Sequence, residues 1–99
     1  MTSKERILQR LIQARLSNEK YILHDFNGHR NWISGGYLPM WEIQKVGGTS
    51  GDRRIREIRE DYPIDMKRHE WQHEDKKINT FVYRLDMEPK KIVEIFNGD

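Results

Sequence analysis

Ninety-nine residues with 18 basic and 16 acidic side chains and 35% hydrophobic content describe one small, polar domain with a modest core. The absence of cysteine excludes disulfides and thiolate metal sites, and no run of about 18 apolar residues is present to cross a membrane. A net charge of +2 is too small to name a partner, so its distribution matters: residues 1–48 carry seven basic and four acidic side chains, residues 49–87 nine of each.

Thr2-Ser3-Lys4-Glu5 reads as a capping box, with Thr2 as N-cap and Glu5 three residues on. Ile7, Leu8, Leu11, Ile12 and Leu16 follow at helical spacing and predict a first helix over 3–16. Lys4, Glu5 and Arg6 have no apolar signal core behind them, so a cytoplasmic protein is expected. Residues 17–36 are the least legible. Tyr21-Ile22-Leu23 and Asn31-Trp32-Ile33-Ser34 are short apolar runs around an Asn27-Gly28 turn signal. They fit either two short strands or a loop packing Tyr21, Phe26 and Trp32 onto the core, with a short strand expected near Trp32-Ile33. Pro39 suits a first helical turn and opens a second helix over 39–46. Met40, Ile43 and Val46 share its stripe, and Gly47-Gly48 stops it.

A third helix follows over 50–61, at helix-turn-helix spacing. Ser50 is the expected N-cap, and Asp52 suits the positive end of the helix dipole. Ile55, Ile58, Tyr62 and Gly51 form one narrow apolar face. Thr49, Arg53, Arg56, Glu57 and Glu60 fall opposite, and Tyr62-Pro63 ends the helix. The period then changes to two. Tyr62, Ile64 and Met66 alternate with polar residues, Gln72 to Lys77 form a polar tip, and Phe81, Tyr83 and Leu85 return on one face. That is a β-hairpin over 64–85. A tail over 89–97 is expected to form a short helix that either docks on the core or offers a homodimer contact. The element order predicts an α+β fold, a winged helix-turn-helix, as a single domain over 1–99.

The run from Gly47 to Ile64, with its arginine pair Arg53-Arg54 and terminal Tyr62, followed by Phe81-Val82-Tyr83-Arg84-Leu85, resembles small winged helix-turn-helix proteins of bacteria and phages. The resemblance covers residues 38–86, and the first helix is consistent with it. It implies binding of double-stranded DNA, with the helix from Ser50 as recognition helix in the major groove and the hairpin as the wing. The chain departs from the pattern in its long segment before Gly36 and its acidic wing tip, Glu74-Asp75.

Arg53 and Arg56 are the candidates for base contact, since a guanidinium can bridge O6 and N7 of guanine. The bland alternative is a solvated face with Arg53–Glu57 and Arg56–Glu60 pairs. Thr49 and Ser50 suit phosphate at the helix start, although capping alone explains Ser50. Arg54 and Arg59 flank the apolar face, where they cover core edges or meet phosphate. Lys67, Arg68, Lys76 and Lys77 on the hairpin suit phosphate or minor-groove contact, or else protect an edge strand. Gln44 and Lys45 are weaker backbone candidates. His69 and His73 do not converge on a strand, and His24 and His29 lack a ligand framework, so neither metal nor cofactor is expected. Trp32, Trp41 and Trp71 read as core, with Trp71 near the tip as a candidate base stack. No nucleophile–base pair can be assembled, and Gly47 to Gly51 lacks a Walker lysine, so no enzyme is expected. The leading expectation is a small bacterial or phage transcriptional regulator. The alternative is a winged-helix protein-interaction module, or an accessory subunit of a larger nucleic-acid assembly.

Overall fold

The computed structural model describes residues 2–26, 29–73 and 75–96, with the side chains at 24–26, 29, 30, 73, 76 and 78 outside the description. The Asn27-Gly28 turn, the Glu74 half of the acidic tip, the side chains of His24, His29, His73 and Lys76, and the end of the tail at Asn97 and Gly98 therefore lie outside it.

Helix α1 spans Ser3–Leu16 and buries Ile7, Leu11 and Ala14. Thr2 Oγ1 accepts the Glu5 N–H at 3.1 Å and donates to the Glu5 carboxylate. The helix closes through Asn18, whose φ of 51° is the left-handed value that asparagine tolerates. The Arg10 guanidinium then ties three segments together. It donates to both Glu19 carboxylate oxygens, at 2.9 and 2.6 Å, and to Glu42 at 3.2 Å, while the Tyr21 hydroxyl donates to Glu42 at 2.9 Å.

Residues 17–36 resolve into the two-strand alternative. Strands β1 (Tyr21–Phe26) and β2 (His29–Ile33) pair antiparallel from Tyr21↔Ile33 to Phe26↔His29, with a register shift between Ile22 and His24. Tyr21, Leu23 and Ile33 turn inward, whereas the paired Ile22 and Trp32 are exposed, with Lys20 Nζ 4.1 Å over the Trp32 ring. The chain returns to the end of α1 at Gly36. Its φ is +86°, and a Cβ there would lie 2.8 Å from the Ala14 carbonyl oxygen, so glycine is required.

Leu38–Pro39 forms the short strand β3, pairing with Tyr83 and Val82. This corrects the expected helix start. Pro39 is the N-cap of α2 (Met40–Gly47), not its first turn. Leu38 is held extended by the proline after it, and proline's missing N–H is tolerated on an edge strand. Helix α2 also runs one residue further than expected, through Gly47. A Cβ there would stand 2.4 Å from Ile7 Cδ1, so only glycine lets α2 close against α1.

Helix α3 spans Gly51–Asp61 and buries Gly51, Ile55 and Ile58. Ser50 makes no side-chain cap bond, contrary to expectation, because its ψ of 33° is not the extended conformation from which a hydroxyl reaches the second or third N–H. Its carbonyl accepts the Arg54 N–H at 3.0 Å. Strands β4 (Ile64–His73) and β5 (Lys76–Leu85) then pair in unbroken register from Ile64↔Leu85 to His73↔Lys76. The expected polar loop at 72–77 is thus largely strand, since ladder bonds make no demand on side-chain polarity. Helix α4 (Pro89–Phe96) buries Ile92 and sets Phe96 against Tyr62 with ring centroids 5.0 Å apart, so the tail docks on the core.

The described residues thus form an α+β fold of four helices, a two-stranded sheet and a three-stranded sheet ordered β3-β5-β4. Ile64, Tyr83 and Leu85 face the helices, in one core with Leu38, Ile43, Ile55 and Ile58. Val82, absent from the expected apolar face, is buried on the opposite side with Ile33 and Tyr37. Helices therefore cover one side of the three-stranded sheet and the β1–β2 hairpin covers the other.

Candidate nucleic-acid interface

Because Gly51, Ile55 and Ile58 point into the core, α3 turns Arg53 and Arg56 outward, with side chains 71 and 74% exposed. Each has a carboxylate on its own helix: Arg53–Glu57 at 3.7 Å and Arg56–Asp52 at 4.0 Å. Asp52, not the expected Glu60, partners Arg56. At such exposure these pairs are weak and exchange readily for another anion. Arg54 is set apart. It lies 2.7 Å from Glu57 and lines a shallow depression of about 330 Å³ with Thr2, Ser3 and Lys4, on the α1 side of the helix. Arg59 lies on the other flank, donating to the Ile64 carbonyl at 3.4 Å. Between that flank and the hairpin sits Tyr83. Burial pushes its hydroxyl above the ordinary tyrosine range, opposed by Arg59 and reinforced by Asp52.

Thr49 and Ser50 are exposed in the turn before α3, and capping does not account for the Ser50 hydroxyl. The hairpin cations divide. Register puts Arg68 and Lys77 on the α3 side, both exposed, with Arg68 2.6 Å from Glu70. Lys67 is on the far side, its Nζ 4.4 Å over the Tyr37 ring. The structure therefore separates Lys67 from Arg53, Arg56, Arg68 and Lys77. Trp71 is also on the far side, half-buried beside His69 and facing away from α3. Gln44 and Lys45 are exposed on α2.

Sequence reasoning missed one feature of this surface. Met66 and Phe81, set by alternation on one face with Ile64, Tyr83 and Leu85, are exposed on the α3 side. No sequence signal marks them: Met66 and Phe81 lie two and four residues from the buried Ile64–Leu85 pair, about 7 and 13 Å along strands that run about 33 Å, within the roughly 16 Å that α3 covers.

No protein-family model, curated protein or solved structure matches the chain. No helix among the described residues is long and apolar enough to cross a membrane.

Proposed function

We propose that the protein is a winged helix-turn-helix domain that binds double-stranded DNA sequence-specifically, as a small transcriptional regulator of bacterial or phage type. The order α1-β3-α2-α3-β4-β5, the sheet order β3-β5-β4 and the three residues between α2 and α3 support the architecture, with β1–β2 as an addition to it. The observation that carries the function is the outward display of Arg53 and Arg56 on the face of α3 opposite the core. In this reading α3 enters the major groove by its N-terminal part. Arg53 bridges a guanine edge, and Thr49, Ser50, Arg68 and Lys77 meet phosphates.

A competition titration on a duplex enriched from a random library, against a scrambled duplex at one fixed salt, tests this. Arg53→Ala should cost about 1–3 kcal/mol on the enriched duplex and little on the scrambled one. Arg53→Lys should lose discrimination too, since a point charge cannot make a bidentate contact. Equal losses on both duplexes demote Arg53 to a phosphate contact.

One observation favours a second reading, a protein partner. The four arginines of α3 are matched by four carboxylates on the same helix, which leaves it without net charge. Failure of the random library to yield any enriched duplex favours that partner.

A further inference from the structure

We propose that β4 is a docking edge for a second copy of this chain: two β4 strands pair antiparallel about a two-fold axis through His69 and join the two β3-β5-β4 sheets into one. This joint does not depend on what α3 binds. β4 ends its sheet, and no strand among the described residues pairs with its other side. The phase of the ladder shows which backbone groups are left over. The Pro63 carbonyl accepts the Asp86 N–H at 2.9 Å, so Pro63 and every second residue after it turn toward β5. The groups between them, at Ile64, Met66, Arg68 and Glu70, turn to the open edge. The Ile64 carbonyl follows this phase, for it meets Arg59 at 3.4 Å rather than β5. Proteins ordinarily blunt such an edge with a proline, a bulge, a short strand or unbalanced charge. β4 has none of these. It runs ten residues without proline, in unbroken register. Lys67 and Arg68 are balanced by Asp65 and Glu70, and the Lys67 ammonium is turned onto the Tyr37 ring.

Strand length and charge select the occupant and its register. When β4 pairs with itself, residues that face one another lie on the same side of the sheet, so the two-fold axis passes through a residue. Only axes through Arg68 or His69 keep all but one of the ten residues paired. An axis through Arg68 sets that guanidinium against its own copy. An axis through His69 sets Arg68 opposite the second copy's Glu70, and Glu70 opposite the second copy's Arg68. Both side chains are exposed on the α3 side, at 57 and 38%, and already meet along the strand at 2.6 Å. The joint keeps that contact and adds one across the strands, so the charges alternate in sign around its centre. Arg68 and Glu70 also carry backbone groups that turn to the open edge, and there they exchange ladder bonds with the second copy. Ile64 falls outside the paired stretch and keeps Arg59.

The test is sedimentation of the full chain over a concentration series reaching about 1 mM. Wild-type protein should pass from monomer to dimer. Arg68→Glu and Glu70→Arg, each alone, set like charges opposite one another on both sides of the axis and should weaken the dimer by about tenfold or more. Mixed, the two variants face each other with opposite charges throughout, and should dimerise as the wild type does. The chain has no cysteine, so His69→Cys sets one thiol opposite its own copy and should give a disulfide-linked dimer on mild oxidation. Lys67→Cys should not, because its copy lies four residues away along the strands, about 13 Å. A chain that stays monomeric throughout the series overturns the proposal. So does a dimer that both charge reversals leave intact, one that mixing folded variants fails to restore, or one that links through Lys67→Cys and not His69→Cys. Where a charge reversal does not fold, the two cysteine variants decide.

Discussion

On the side of the β4–β5 hairpin that faces β1–β2, Lys67 and Arg84 lie 4.4 and 4.6 Å over the Tyr37 ring. The Tyr37 hydroxyl donates to Asp65, Arg84 lies 3.7 Å from Asp65 and 3.8 Å from Asp86, and His69 meets Asn31 at 3.1 Å. On the α3 side, Arg68 meets Glu70, and Met66 and Phe81 meet solvent. Lys67 and Arg68 are adjacent in sequence and have opposite surroundings. A cation on a strand is therefore assigned by what its side of the sheet packs against, not by charge or neighbourhood in the chain.

The largest test of this two-sidedness is the core itself. Ile58 is fully buried between α3 and the sheet, and Ile58→Ala should cost about 2–5 kcal/mol in a denaturant or thermal melt. An unchanged melt would mean that α3 does not pack on this side, and the comparison collapses.

Next comes the far side. Tyr37→Phe removes a hydrogen bond to a carboxylate and should cost about 1.5–3 kcal/mol near neutral pH. Burial first, and then the bond to Asp65, hold the Tyr37 hydroxyl above its ordinary value of 10. A raised folded value means that the native state keeps the proton longer. The contribution is thus fully present below pH about 10 and is lost as pH rises through the folded value. The gap between wild type and Tyr37→Phe should narrow across that alkaline window. A gap constant with pH would show that the hydroxyl is not tied to Asp65.

The smallest effects sharpen the contrast most. Lys67→Ala should cost about 0.5–1 kcal/mol of stability, through its lost contact with Tyr37, and leave the salt dependence of DNA binding alone. Lys77→Ala should leave stability alone and flatten that dependence by roughly one unit of slope. If the two variants exchange behaviour, the sides have been assigned the wrong way round.

The helices were legible because Ile7, Leu11, Ile55 and Ile58 repeat at a period that only a helix satisfies. The β4–β5 strands were legible from alternation, but which side of them is covered was not. Val82 is buried by Ile33, from the segment that could not be read, and by Tyr37 just after it. That segment hid its strands because its outward residues Ile22 and Trp32 are themselves apolar, which erases the alternation of polarity that would have announced them. Pro39 and Ser50 misled for a local reason. Proline and serine suit several positions around a helix start; the pairing of β3 with β5, a long-range fact, decided for Pro39, and the local ψ of 33° decided for Ser50. Met66 and Phe81 look like core in any window short enough to reveal a strand. Nothing in the sequence distinguishes them from the buried Ile64 and Tyr83 two residues away.

The Glu19 carbonyl accepts the Gly36 N–H at 3.1 Å, so the β1–β2 hairpin leaves and rejoins the end of α1 at one point. Topologically it is an appendage: excising it would alter no connection among α1, β3, α2, α3 and the β4–β5 hairpin. Its distal end can therefore lengthen or shorten without re-threading the fold, and each doubling of a flexible loop costs only about 0.6 kcal/mol in closure entropy. The clasp thus lets the hairpin vary in length on the far side of Tyr21, Leu23 and Ile33, whose packing with Val82 ties its near end to the sheet.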